Sequence, residues 1–324
     1  MLLVLTDGFC YRSAQMVEIF VKTLPFFAVI ALGYGAGRMG AFGPVATAWL
    51  TRFVFYFALS AMLFGFSANL SITDLFDARG FAAYLWACLM LYAIVMAVAF
   101  ARRRPLAEAT IEAHTATIGN TGFLGVPMLV VLLGPGSVAT VLMILTIDLI
   151  VFSSLFVMLI TLAREGRVTR ALPRMLALAV LKNPMVMSMV AGLTWSTTGL
   201  GLAAPVDDFM TLLGAAATPC ALFAIGASLA DKRVERLGIV TWLCFGKLVL
   251  HPLLVGVAAL LIFGVDPQMA GVMIAAAALP VAGNVFILAQ QYQVGPARVS
   301  AAILISTTIS ILTVPAVIAW LGAI

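Results

Sequence analysis

The sequence predicts an all-α polytopic membrane protein: ten transmembrane helices arranged as two inverted five-helix repeats, with the fourth and ninth helices broken and crossing at the midplane. Three observations carry this. Of 324 residues, 64% are hydrophobic and only 10% charged, against about 25% charged in a soluble domain. Apolar runs long enough for a hydrocarbon core of about 30 Å, which takes about 20 helical residues, recur ten times. A single register shift near half the chain length aligns the early runs of the two halves. A water-soluble fold is thereby excluded. An outer-membrane barrel needs short segments of alternating polarity, whereas these runs are continuous and rich in Leu, Ala, Val and Met.

Breaks at charge, Gly or Pro delimit the segments at 17–37, 44–68, 79–101, 107–132, 137–163, 172–196, 204–230, 237–263, 268–291 and 297–322. Residues 1–16 read as an N-terminal tail, 17–164 as the first repeat and 165–324 as the second. Met1 to Gln15 is neither a signal peptide nor long enough to span, and Met16 is an alternative start. The loops after segments 1, 3, 5, 7 and 9 carry Arg38, then Arg102, Arg103 and Arg104, then Arg164, Arg167 and Arg170, then Lys232, Arg233 and Arg236, then Arg298. The opposite side carries little basic charge beyond Arg12, and its loops hold Asp74, Asp77, Asp207, Asp208 and Asp266. The positive-inside rule puts the basic loops in the cytoplasm and both termini outside. The net charge of +5 therefore reports topology, and no nucleic acid partner is expected. Cys10, Cys88, Cys220 and Cys244 are scattered without metal-type spacing, so neither a disulfide nor a metal site is expected.

A shift of 159 aligns Pro25 with Pro184, Gly33 with Gly192, Gly40 with Gly199, Leu63 with Leu222, Phe64 with Phe223, Ala68 with Ala227 and Leu70 with Leu229. One register serves segments 1 and 6 as well as 2 and 7. Because five is odd, the second copy enters the membrane from the opposite side, giving an inverted repeat of the kind transporters use.

Segments 4 and 9 are the least regular. Ile118 to Pro127 packs three Gly, an Asn, a Thr and a Pro into ten positions, and Ala278 to Asn284 holds Pro280, Gly283 and Asn284. Proline removes a donor and clashes with the carbonyl four residues back, which frees the carbonyls of Phe123 and Ala276. Irregular backbone at membrane depth persists only inside protein or beside a watery cavity. Paired interruptions in corresponding helices point to a substrate site at the repeat interface. Kinks and close-packing glycines are the alternative reading for either helix alone. The site residues expected at the crossover are Asn120, Thr121, Gly125, Pro127, Pro280, Gly283 and Asn284. Half-helix N-termini offer positive dipole ends to an anion, and the two Asn add neutral donors and acceptors.

GNTGFLGVP (Gly119 to Pro127), LPVAGNVFILAQQY (Leu279 to Tyr292) and LKNP (Leu181 to Pro184) resemble the auxin efflux carrier family, whose bacterial members are often labelled malonate or malate permeases. The resemblance covers residues 17–322. It implies a scaffold of segments 1, 2, 6 and 7, a moving transport domain of segments 3–5 and 8–10 that crosses at Pro127 and Pro280, and small organic anions as substrates. A homodimer through the scaffold segments is a further expectation. The loop between segments 5 and 6 is only about eight residues, so the regulatory phosphorylation of the long-looped plant members has no place here.

Charges inside spans are expensive and mark function by default. Asp148 lies about eleven residues into segment 5, and Lys247 about ten into segment 8 with His251 one turn on. A coupling role for Asp148, Lys247 and His251 stands beside a structural ion pair between Asp148 and Lys247 or a snorkelling lysine. Glu112 and His114 read as a hydrogen-bonded cluster at the cytoplasmic rim, or as groups titrating with proton movement. Arg52 reads as an interfacial anchor, the tryptophans as belt and core residues, and Gln290, Gln291 and Tyr292 as a cap or exit lining. No zinc motif, phosphate loop or nucleophile elbow is present. No enzyme activity and no cofactor are expected. The predicted function is alternating-access transport of small carboxylates or auxin-like acids across a bacterial inner membrane. A carboxylate sensor or receptor that binds without transport is the alternative.

Overall fold

In the computed structural model, residues 2–70, 77–167, 172–230 and 237–321 are described, with side chains described from Ile19 onward except those of Leu172 and Ala179. Asp74, Arg170, Lys232, Arg233 and Arg236 lie outside the described residues. The described chain is helical between short connections. Seven helices are long and apolar enough to cross a membrane. They are α1 (Leu2–Arg38, of which Ile19–Arg38 is the apolar stretch), α2 (Pro44–Ala68), α3 (Ala78–Ala101), α6 (Pro135–Glu165), α9 (Ala204–Leu229), α10 (Leu237–Ile262) and α13 (Pro296–Leu321). Segments 4, 6 and 9 are each split in two, as α4 (Leu106–Thr117) and α5 (Thr121–Leu133), α7 (Leu172–Leu181) and α8 (Pro184–Ser196), and α11 (Pro267–Ala277) and α12 (Gly283–Gln291).

Local chemistry sets the boundaries. The Asp77 side chain accepts from Gly80 N at 2.6 Å and caps α3. Asn183 accepts from Met185 N and Val186 N to cap α8, and Asp266 does the same for α11 through Gln268 N and Met269 N. Each satisfies donors that a helix start leaves free. Proline opens α8, α11 and α13, where its missing N–H costs nothing. The first helix begins at Leu2 and not at residue 17, so the expected tail is continuous with the first segment. Its Pro25 sits inside the helix, whereas the aligned Pro184 follows a break at Lys182 and Asn183.

Two sets of helices pack more closely within themselves than with each other. In one, α1 lies against α9, and α2 against α8 and α9. In the other, α3 packs on α4 and α10, α4 on α6, α11 on α6 and α10, and α13 on α10 and α12. The sets meet where α1 touches α13 and α5, and where α9 touches α5. Backbone runs on backbone in the first set. A Cβ on Gly33 would overlap the Phe223 carbonyl, and one on Gly192 would overlap the Phe64 carbonyl. These are the same contact twice, because the shift of 159 carries Gly33 to Gly192 and Phe64 to Phe223. The α1–α9 crossing is thus repeated, with the order of the two helices along the chain exchanged, as the α8–α2 crossing.

Candidate functional site

The break between α4 and α5 runs through Ile118, Gly119 and Asn120, and the one between α11 and α12 through Ala278 to Ala282. Backbone groups released there must find partners, since none is supplied by hydrocarbon. They find each other: Asn120 N donates to Pro280 O at 2.8 Å and Ala282 N to Ile118 O at 3.1 Å, making an antiparallel bridge between Gly119 and Val281. A shift of 162 converts one of these bonds into the other, so the pairing is self-complementary. Val281 N donates to Ser306 Oγ of α13 at 3.1 Å. The Asn120 carbonyl accepts from both Leu124 N and Gly125 N, at 3.1 and 2.9 Å.

The crossing is not at Pro127. Pro127 lies seven residues further on, buried in the first turn of the regular helix Val126–Leu133, after a π-helical turn over Thr121–Gly125. The wide turn absorbs the missing N–H, and a proline fits the start of regular helix. Pro280 is at the crossing through its carbonyl. Gly125 serves close packing, because a Cβ there would press on Leu279 Cδ1 at 2.6 Å. Gly283 opens α12 and is exposed. Asn120 is buried at 5% exposure, and Asn284 Oδ1 is buried with no hydrogen-bond partner among the described residues. This last is an unspent polar group beside a helix start.

The intramembrane charges lie around the crossing. Asp148 occupies a π-helical turn of α6 (Ile147–Phe152) and Lys247 one of α10 (Gly246–Leu250), a distortion that recurs at functional sites. Tyr84 OH of α3 donates to Asp148 Oδ1 at 3.2 Å, and Thr121 Oγ1 lies 3.5 Å from Oδ2. Lys247 Nζ donates to Ala277 O at 2.5 Å and to His251 Nδ1 at 2.7 Å. An ammonium only donates, so the imidazole accepts at Nδ1 and is neutral, and its Nε2–H faces Cys88 Sγ at 3.2 Å. Asp148 and Lys247 make no direct ion pair. Each is satisfied by its own partners, which corrects the expectation that they pair.

Sequence reasoning missed Tyr84 and Cys88. The signal was present as a shift of 163, which carries Tyr84 to Lys247 and Cys88 to His251. The Cys88–His251 contact therefore joins two positions related by that shift.

At one end of the bundle Glu112, fully buried, is bonded by Arg102 of the α3 terminus and by Arg298 of α13. Glu108 pairs with Arg298 at 3.2 Å and Arg104 at 3.6 Å. Arg164 donates to Tyr292 O and lies over its ring, 5.2 Å from the centroid. His114 does not join this network. Neither ring nitrogen has a partner among the described residues, and the imidazole packs 4.8 Å from the Phe156 ring centroid. Arg52 stacks on Trp49 at 5.0 Å.

A cleft of about 330 Å³ opens at the seam between the two helix sets, lined by Phe27, Ile30 and Tyr34 of α1, Leu229 of α9 and Thr307 and Ile311 of α13. No group of three or more metal-ligating side chains occurs among the described residues.

A family model described as a membrane transport protein matches residues 18–318. A protein of Rhizobium meliloti (strain 1021) named "Putative malonate transporter" is 31% identical over 305 residues, covering 92% of this chain and 94% of the relative. Proteins of Escherichia coli (strain K12) and Shigella flexneri, each named "Uncharacterized transporter YfdV", are 28% identical over 307 residues, covering 90% of this chain and 94% of the relative. A broken-helix crossing inside an apolar bundle and a family match over nearly the whole chain lead to one conclusion: the chain belongs to the membrane transport protein family, the auxin efflux carriers its crossover motifs resemble, and is a multi-pass membrane transporter, not an enzyme.

Proposed function

We propose that this transporter is a secondary carrier of small organic anions, carboxylates of the malonate or malate type or auxin-like acids, working by alternating access. The observation that carries the reading is the mutual hydrogen bonding of the two broken segments. Beside that crossing, α5 and α12 begin, and their free N–H groups and dipole ends favour an anion. Asn120, Thr121, Gly283 and Asn284 are the groups proposed to touch it, with Gly125, Pro127 and Pro280 shaping the backbone around them. Broken helices whose N-termini meet anionic groups are the recurrent device of carriers built from inverted repeats. The "malonate" in the name of the Rhizobium meliloti relative agrees with a dicarboxylate.

Ten crossings follow when each split pair counts as one. The 12 residues of α4 and the 11 of α11 reach only about 18 Å and 16 Å, too short to span alone. The repeated α1–α9 and α8–α2 crossings and the self-complementary bridge support an inverted repeat. We assign α1, α2, α7, α8 and α9 to a scaffold and α3–α6 with α10–α13 to a transport domain, the seam cleft marking the sliding surface. An anion on the positive half-helix ends lowers the cost of carrying both through a low-dielectric barrier. The ion pairs bring the α3 end and the α4 and α13 starts, with their arginines, to one side. That side is proposed as the cytoplasmic face of a bacterial inner membrane, with both termini outside. A homodimer through the scaffold remains part of the proposal.

The test is uptake into proteoliposomes across mono- and dicarboxylates and indole acids. Asn120→Ala and Asn284→Ala should each lower saturable flux by at least about tenfold, the scale of one lost polar contact to a charged ligand, while detergent-solubilised protein stays monodisperse. Wild-type flux in both variants would refute the site.

A further inference from the structure

The broken helix α11 ends in carbonyls that need partners. Ile274 O accepts from Ala278 N and Ala276 O from Leu279 N. Ala277 O, the last of them, accepts from the Lys247 ammonium at 2.5 Å. The same ammonium abuts the bridge: a Cβ on Gly119 would lie 3.2 Å from both Lys247 Nζ and Cε, and 3.5 Å from Ala276 O. Lys247 is fully buried, so no solvent shares its charge. Its remaining contact is the neutral His251 Nδ1. The titratable groups around it are His251 on its own helix, Cys88 and Tyr84 on α3 and Asp148 on α6. Asp148 makes no hydrogen bond or ion pair to it.

A helix C-terminus carries about half a negative charge. In carriers with broken helices, such C-terminal ends and unwound carbonyls are where a coupling cation is held. Here that place is filled by a cation belonging to the chain. We infer that Lys247 is the resident counter-cation of the crossover: its ammonium stands where a coupling ion would bind, so that transport needs no sodium or other alkali cation. This rests on the carrier reading above. The shift of 163 puts the uncharged Tyr84 at the equivalent place in the first half, so the two halves are asymmetric in charge and only one end of the crossing carries the tethered cation.

Two arms test this on the full-length purified chain, at fixed pH, ionic strength and membrane potential. The first measures [14C]malonate uptake by proteoliposomes in sodium, potassium or choline chloride. The second measures thermal unfolding in detergent in the same salts with no substrate present. For the wild type, both should be the same in all three salts. Lys247→Ala leaves a cavity with an unpartnered carbonyl and should lose about tenfold in uptake in choline. Its unfolding temperature should rise with added ethylammonium or sodium, as linkage to a native-state site requires. Lys247→Met fills the space without charge and should show no such response. It also covers the case in which the alanine variant fails to fold, because Lys247→Met must then be defective in uptake in every salt. A wild type that needs sodium, a Lys247→Ala protein with wild-type uptake in choline, or one whose stability ignores every added cation overturns the inference. Linear, non-saturating wild-type uptake is instead the failure of the carrier reading, which the substrate-free stability arm does not depend on.

Discussion

Asp148 is satisfied in a span by two hydroxyls, from Tyr84 and Thr121. A buried hydrogen bond is worth about 0.5–3 kcal/mol, depending on the charge of its acceptor, so Tyr84→Phe should destabilise within that range, read as a lower unfolding temperature in detergent. An unchanged temperature would mean that Asp148 does not use the hydroxyl. Glu112 is a stronger case, because two arginines converge on one buried carboxylate. Removing one partner of such a set costs about 3–5 kcal/mol. Glu112→Ala should therefore lose most of its folded yield, measured by size-exclusion recovery, with Glu112→Gln intermediate. Asp148, Lys247 and Glu112 were legible in the sequence, because a lone charge in an apolar run has few neutral explanations. Their partners were not. Tyr84 and Cys88 look like ordinary helix residues until the register that equates them with Lys247 and His251 is drawn. For His114 the sequence leaves a rim cluster and a titrating group side by side, and local context does not tell either from an imidazole packed on Phe156.

Among elements, the breaks were legible and their positions only roughly so. Glycine and proline within ten residues of segment 4 announced lost regularity, but the sequence could not say which residue would pay it out. Proline draws attention to Pro127, whereas the chain opens at Gly119, where the irregular segment around Val281 accepts and donates. The partner decided, and it lies 162 residues away. Ser306 was invisible for the same reason: its hydroxyl takes the Val281 N–H that no helix can. Ser306→Ala strands that donor, at a cost of about 1–3 kcal/mol, and a matching fall in unfolding temperature is expected, with Ser306→Thr closer to wild type. The scaffold crossings make a paired prediction. Gly33→Ala and Gly192→Ala each push a Cβ into a backbone carbonyl, which cannot swing aside as a side chain does. Overpacking of this kind costs about 1–3 kcal/mol. Both variants should lose stability to a similar degree, and a large difference between them would argue that the two crossings are not equivalent.

For the whole molecule, the composition and segment count settle the class, since a chain with so few charges has only the bilayer as solvent. The proposed division into scaffold and transport domain comes from the family resemblance and not from composition, because lipid-facing and seam-facing apolar residues have the same chemistry. Motion across the seam is directly testable. Cysteines replacing Tyr34 and Thr308, which line the cleft from α1 and α13, should abolish flux when joined by a short thiol cross-linker. Cysteines replacing Phe42 and Phe223, which touch inside the first helix set at a ring distance of 5.0 Å, should tolerate joining. Equal inhibition by both links would argue against relative movement of the two sets. The most direct measurement of the carrier itself is counterflow. Proteoliposomes preloaded with unlabelled malonate should take up external [14C]malonate faster than empty ones, with an initial rate that saturates. A rate indifferent to the internal pool and linear in external concentration would contradict a site that alternates between the two sides of the membrane.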